Sequence, residues 1–235
     1  MQISGIQKFT LLDYPNKTAC VIFTPGCNFR CGFCHNPEFV LPEKIQKIKD
    51  SFIPEEIFFN FLERRGKLLD AVVISGGEPS LMPDIIEFVT KIKGMGFLVK
   101  LDSNGSRPGV IRDMIQAKLV DYIAMDIKTS LEKYTSLVGT SGNPEKIEES
   151  IKIIMDSGLP YEFRSTIVKE DHPREVLEQM ARLISGAEKY YLQRFRPGTV
   201  LNPKYNDFSS YSSEEMEDIA KNIFSPVIKE VSVRE

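Results

Sequence analysis

Three of the four cysteines crowd into one segment, Thr24-Pro25-Gly26-Cys27-Asn28-Phe29-Arg30-Cys31-Gly32-Phe33-Cys34-His35-Asn36-Pro37. Thiolates spaced like Cys27, Cys31 and Cys34 can wrap one compact iron-sulfur cluster, because a turn of backbone brings the sulfurs onto different irons. A cubane holds about four irons, so three cysteines leave one iron open to a ligand that is not protein. Two other chemistries fit the same residues. Zinc could be held by the three thiolates with His35, although structural zinc sites usually divide their ligands into two separated pairs. Cys31 and Cys34 could form a redox pair, which leaves Cys27 unexplained. Cys20 lies inside the apolar run Ala19-Cys20-Val21-Ile22-Phe23 and reads as a small buried hydrophobe, not a ligand.

The rest of the composition narrows the setting. The chain has 235 residues, enough for one substantial core, and a formal charge of -3 with acidic and basic residues interspersed. No nucleic-acid or membrane surface is implied, and no apolar run approaches the roughly 18 residues of a membrane span. Clustered thiols without a disulfide spacing suggest a metal site in a reducing, cytoplasmic setting. With only two histidines, chemistry that needs several imidazoles is poorly supplied.

The elements that must position the thiols alternate in type. Strand-like runs are expected at Ala19–Thr24, Ala71–Ser75, Phe97–Leu101, Tyr122–Ile127, Glu162–Val168 and Tyr190–Phe195. Helices are expected between them. The first spans Pro54 to Arg65, with Ile57, Phe58, Phe61 and Leu62 inward; the second begins near Pro83 and buries Ile86, Val89 and Ile92. Others cover Val110–Ala117, the stretch from an Asn143 cap to Gly158, and Pro173 to Ile184. A Ser212/Glu215 capping box starts the last, and Val227–Val233 forms a final short strand. Pro197–Ser213 is the longest expected loop. This pattern predicts an α/β fold, a mostly parallel sheet curled as a partial or full (β/α) barrel with outer helices, or else an open doubly wound sheet. It is read as a single domain over 1–235, with a core over 18–195 and a C-terminal loop, helix and short strand over 196–235. Ligands in either layout bind beyond the carboxyl ends of the strands, where the cysteine loop falls.

At these residues the sequence resembles the radical S-adenosylmethionine (SAM) superfamily. Pro25-Gly26-Cys27-Asn28 and Cys34-His35-Asn36-Pro37 resemble activating enzymes of glycyl-radical enzymes, and Lys8-Phe9-Thr10-Leu11-Leu12-Asp13-Tyr14-Pro15 resembles activases of anaerobic ribonucleotide reductase. The resemblance implies a 4Fe-4S cluster on Cys27, Cys31 and Cys34, with SAM at the open iron. By the same resemblance, Gly76, Gly77 and Glu78 approach the SAM amino group, while Asp102, Ser103, Asn104, Asp126 and Lys128 help position its methionine and ribose portions. Asp102 and Asp126 could also hold a monovalent cation. Arg164 matches an arginine at the SAM carboxylate, Phe33 an aromatic near the adenine, and His35 and Asn36 support the loop. Gln193 and Arg196 are candidates for the substrate side.

The implied reaction is reductive cleavage of SAM and hydrogen abstraction from a glycine of a partner enzyme, with flavodoxin or ferredoxin as electron donor. Anaerobic ribonucleotide reductase is the preferred partner. Pyruvate formate-lyase or another glycyl-radical enzyme is the alternative, followed by a radical SAM enzyme acting on a small molecule, such as a deazaguanine-forming type, and a noncatalytic metal-binding module.

Overall fold

The structure, a computed structural model, describes residues 1–66 and 68–234. The chain forms two compact units that interleave along the sequence. One comprises Met1–Asn28, Glu38–Ser103 and Gly109–Ile123, the other Phe29–Pro37, Asn104–Pro108 and Ala124–Glu235.

In the first unit, strands β1 (Gly5–Thr10), β2 (Ala19–Thr24), β3 (Ala71–Gly76) and β4 (Leu98–Ser103) are hydrogen-bonded in sequence order. β1 is antiparallel to β2, whereas β2, β3 and β4 run parallel, in a register that pairs Phe23 with Ser75 and Thr24 with Gly76. The β2 and β3 runs are apolar almost throughout because they are buried on both faces. Helices α1 (Pro42–Ile48), α2 (Glu55–Arg65), α3 (Ile85–Gly94) and α4 (Pro108–Gln116) connect them. Helix α2 buries Phe58 and Leu62, and Phe58 stacks on Phe88 of α3 with ring centroids 5.6 Å apart. Two inward expectations are corrected. Ile57 and Ile86 are exposed, because Ile85 and Phe88 take the core side of α3 while Ile57 lies on the outer side of α2.

Strand β5 (Tyr122–Asp126) crosses from one unit into the other. Asp121 N–H donates to Val99 O at 2.8 Å before it, and Ile127 N–H donates to Arg164 O at 2.8 Å after it. The second unit continues with parallel β6 (Tyr161–Ile167), β7 (Lys189–Arg194) and β8 (Glu230–Arg234). Its helices are α5 (Tyr134–Val138), α6 (Pro144–Met155), α7 (Arg174–Leu183) and α8 (Ser213–Ile219), the last running on as a π turn through Phe224.

The expected caps are present: the Asn143 side chain accepts from Lys146 N–H, and Ser212 and Glu215 form a reciprocal capping box. Ile147, Ile151 and Ile154 face the core of α6. The fold class is thus the expected α/β, mostly parallel with helices between strands. Strand β1, helices α1 and α5 and a 3-10 turn at Pro203–Asp207 add to the expected elements.

Candidate active site

The cysteine loop leaves β2 at Thr24, and in the first unit its opening is built by backbone. Gly26 adopts φ +91°, its N–H donates to Phe39 O at 2.7 Å, and its carbonyl accepts from Glu78 N–H at 2.8 Å. Gly77 N–H donates to Thr24 O at 2.9 Å. The ends of β2 and β3 are therefore laced together just before Cys27. Both glycines of the β3 loop are required by contact. A Cβ on Gly76, at φ +121°, would stand 2.3 Å from Thr24 N, and one on Gly77 would stand 2.1 Å from Gly26 O.

Glu78 is almost fully buried. Its carboxylate accepts from Ser80 N–H at 3.1 Å and from the Ser103 hydroxyl at 2.9 Å, tying the β3 loop to the end of β4. Asp102 is ion-paired with the buried Lys100 at 3.0 Å.

In the second unit the loop continues through Phe29, Cys31, Phe33 and Cys34. Cys34 N–H donates to Cys31 O at 3.1 Å, making the tight turn that puts both thiols on one bend. Burial pushes the Cys31 thiol up to about 11, with the Lys128 ammonium pulling the other way. Phe33 is buried between two neighbours: the Lys128 ammonium lies 5.8 Å from its ring and the Tyr205 ring 6.0 Å away.

Lys128 and Arg164 converge on Asp126, Lys128 Nζ at 3.0 Å from Oδ2 and Arg164 Nε at 3.0 Å from Oδ1. Burial alone would raise the Asp126 carboxyl, yet the two cations outweigh it and hold the group down at about 2. Each carboxylate considered for a monovalent cation, Asp102 and Asp126, thus already has a built-in cationic partner. Asn104 Oδ1 accepts from Ser106 N–H at 2.9 Å, and the Ser150 hydroxyl donates to Gly105 O at 2.6 Å, which fixes the turn after β4. His35 faces Phe195 at 6.0 Å between ring centroids. Gln193 is half-buried and Arg196 is exposed.

Sequence reasoning missed the segment after Phe195. Leu201 N–H donates to Cys34 O at 2.9 Å and Asn202 N–H to Gly32 O at 3.0 Å, so residues far along the chain hold the cysteine loop. It also missed His172, which is fully buried with Nε2 2.8 Å from Lys128 O; burial lowers its pKa and keeps the ring neutral. The only local signal was Asn202-Pro203, a pair suited to opening a helical turn.

The donor set suits an iron-sulfur cluster. Among the described residues all four cysteines are outside disulfides, and Cys27 and Cys34 are half-exposed where Cys20 is buried. Among them, too, no three His, Cys, Asp or Glu side chains gather around the position of one ion. Thiolates that bind different irons of one cubane are not required to converge on a single point.

Comparison with known proteins identifies the family. The radical SAM superfamily matches over residues 21–184, a span that includes the cysteine loop and every strand from β3 to β6. The chain belongs to the radical SAM superfamily, whose cofactors are a 4Fe-4S cluster and SAM. A Methanocaldococcus jannaschii protein named for glycyl-radical enzyme activation is 35% identical over 226 residues, covering 93% of this chain and 90% of the relative. That relationship places the chain among the activating enzymes within the superfamily.

The pyruvate formate-lyase-activating enzyme of Listeria monocytogenes is 30% identical over 186 residues, 74% of this chain and 73% of the relative. Among solved structures, Escherichia coli QueE superposes with TM-score 0.55 at 14% identity, covering 99% of this chain and 93% of that one. A domain of a Bacteroides vulgatus pyruvate-formate lyase-activating enzyme gives TM-score 0.55 at 14% identity, covering 70% of this chain and 99% of that one. The structural likenesses carry the fold alone. No helix among the described residues is long and apolar enough to cross a membrane.

Proposed function

We propose that this chain activates a glycyl-radical enzyme in the cytoplasm, with anaerobic ribonucleotide reductase as the preferred partner and a flavodoxin or ferredoxin as electron donor. The observation that carries the reading is the lacing of Thr24 and Gly26, where the cysteine loop begins, to the Gly76-Gly77-Glu78 turn, in a chain related over 93% of its length to a protein named for this activity. The N-terminal Lys8–Pro15 stretch favours the ribonucleotide reductase. The Listeria relative favours pyruvate formate-lyase as the second reading.

Cys27, Cys31 and Cys34 would hold the cluster, and SAM would take its open iron. The chemistry these cofactors supply when bound is one-electron cleavage of SAM and removal of a hydrogen atom from a glycine α-carbon. The residues do the rest by binding and orienting. Backbone groups of Gly76 and Gly77, freed of side chains, can approach a polar ligand closely. Glu78, fixed by Ser80 and Ser103, orients that turn. Arg164 offers a planar, permanently charged fork suited to a carboxylate, and Asp126 holds it in place until a ligand competes for it. Lys128 sets positive charge beside the cysteine loop.

The test is anaerobic. Reconstituted protein, SAM and reductant are mixed with each candidate partner and followed by electron paramagnetic resonance. A glycyl doublet on anaerobic ribonucleotide reductase is expected. A doublet on pyruvate formate-lyase alone selects the second reading, and a cluster that fails to cleave SAM rejects both.

A further inference from the structure

The segment Leu201–Tyr205 lies against the cysteine loop and has no role in the reaction described so far. Leu201 and Asn202 donate their N–H groups to the carbonyls of Cys34 and Gly32. Three residues beyond Asn202, Tyr205 lays its ring on the same stretch of backbone: a Cβ on Gly32 would stand 2.1 Å from Tyr205 Cε2. The ring also meets Phe33, Phe195 and Phe208 at centroid distances of 6.0, 6.2 and 4.5 Å. It is only 8% exposed.

The segment is itself held at both ends. The Asn202 side chain accepts from Lys204 N–H at 3.2 Å, and Tyr205 N–H donates to Asn202 O at 3.0 Å, which closes the 3-10 turn that aims the ring. The Tyr205 hydroxyl donates to Asp171 at 2.7 Å. Asp171 precedes His172, whose ring is hydrogen-bonded to the carbonyl of Lys128, so the anchor is continuous with the Asp126–Lys128 pair. Beyond the turn, Ser209 N–H donates to the Glu170 carboxylate at 2.8 Å and Ser209 O accepts from Lys169 N–H at 3.1 Å.

We infer that Leu201–Tyr205 is a strap that gives the cysteine loop its shape before any cluster arrives, with Tyr205 as its positioning residue. The inference rests on the reading of Cys31 and Cys34 as cluster ligands for its consequence, but not for its geometry. A loop with two short spacings between its cysteines and two glycines would otherwise sample many backbone states, and ordering it at each loading would cost conformational entropy. Two backbone hydrogen bonds and an aromatic lid meet that cost during folding. The ring also covers Gly32, the residue next to the buried Cys31, and so limits water on that stretch of the loop, and solvent exposure is one determinant of cluster potential.

The experiment has one arm without metal and one with it. In the apoprotein, hydrogen exchange resolved at the Leu201 and Asn202 amides is measured in the wild type, and alkylation of Cys31 is compared in wild type, Tyr205→Phe and Tyr205→Ala. The amides are expected to exchange at least about a hundredfold slower than an unstructured peptide. Cys31 is expected to react about tenfold or more faster in Tyr205→Ala, with Tyr205→Phe close to wild type because the ring remains.

In the reconstituted protein, Tyr205→Ala is expected to shift the cluster's midpoint potential and to release iron to a chelator about tenfold faster, again rescued by phenylalanine. Unprotected amides in the wild type overturn the strap whatever the variants do. So does a folded Tyr205→Ala whose Cys31 reactivity and potential equal the wild type's. If Tyr205→Ala does not fold, the amide measurement and the Tyr205→Phe comparison decide. Failure of the wild type to bind any cluster defeats the functional reading while leaving the apoprotein result standing, which separates the two.

Discussion

Replacing Gly77 by alanine tests the backbone lacing from which the cysteine loop departs. The added carbon would stand 2.1 Å from Gly26 O, 2.6 Å from Gly26 C and 2.8 Å from Phe39 O. Carbon–oxygen contacts settle at about 3.3 Å or more, so the two backbones must part by about 1 Å. None of the three atoms is at the end of a flexible side chain. Parting them weakens the bonds from Gly77 N–H to Thr24 O and from Glu78 N–H to Gly26 O. Two hydrogen bonds at about 1 kcal/mol each, with about 1–3 kcal/mol for overpacking, give a loss of about 3–5 kcal/mol.

In a chain of this size that is a fall in Tm of roughly 10 °C. Urea denaturation of the apoprotein, followed by circular dichroism, measures it without any cofactor. Gly94→Ala is the matched control, since its Cβ would meet nothing within 4 Å in helix α3. It should stabilise by about 0.5–1 kcal/mol. A Gly77→Ala variant within about 0.5 kcal/mol of wild type would refute the argument that contact, and not turn preference alone, demands glycine there.

Alanine at Cys27, Cys31 or Cys34 should each abolish SAM cleavage and lower bound iron, read by cleavage assay and iron analysis, while Cys20→Ala retains both. Burial pushes the Cys20 thiol up to about 12, so alkylation near neutral pH should spare it until denaturant is added, as mass spectrometry of the labelled peptides would show. The Asp126 carboxyl is held near 2 in the fold, below its unfolded value, so its stabilising contribution is complete above about pH 4. That contribution, about 2 kcal/mol, should be lost as the pH falls from about 4 towards 2, and the acid limb of the stability curve should flatten in Asp126→Asn. His172 is also lowered, by burial, so the unfolded chain takes up its proton first and stability should begin to decline as the pH drops below about 6.5. His172→Gln should remove that first step in an acid titration of unfolding.

Much of this arrangement was legible because it is written in local code. The run Ala19–Thr24 is continuous and apolar because β2 is covered on both faces, and the Asn143 cap and the Ser212/Glu215 box bond as their spacing requires. Strand β1 gave no such signal, since Gln7, Lys8 and Phe9 all lie exposed and no alternation develops. Helix α1 buries none of its residues, so it has no stripe to detect. At the site, the glycine pair after β3 was readable as permissive backbone, but the need for it at Gly77 comes from Gly26, a partner across the parallel register. Ion pairing of Asp102 by Lys100 follows from two-residue spacing on one face of β4, a relation visible in the sequence yet given no weight there. The strap was beyond reach. Its donors are main-chain N–H groups, which every residue but proline has, so no side chain marks Leu201 and Asn202 as partners of Cys34 and Gly32.

The strap also gives the chain a biosynthetic order. Synthesis runs from the amino end, so the cysteines leave the ribosome long before Leu201, Asn202 and Tyr205 do. A nascent chain that stops short of Leu201 has all three thiols and lacks the donors and the ring that shape their loop. Metal captured at that stage meets flexible thiols; metal captured after release meets a formed loop. The late segment thus completes a loop whose cysteines are made early, and on the proposed ligation a chain lacking it would offer a cluster a loop not yet shaped.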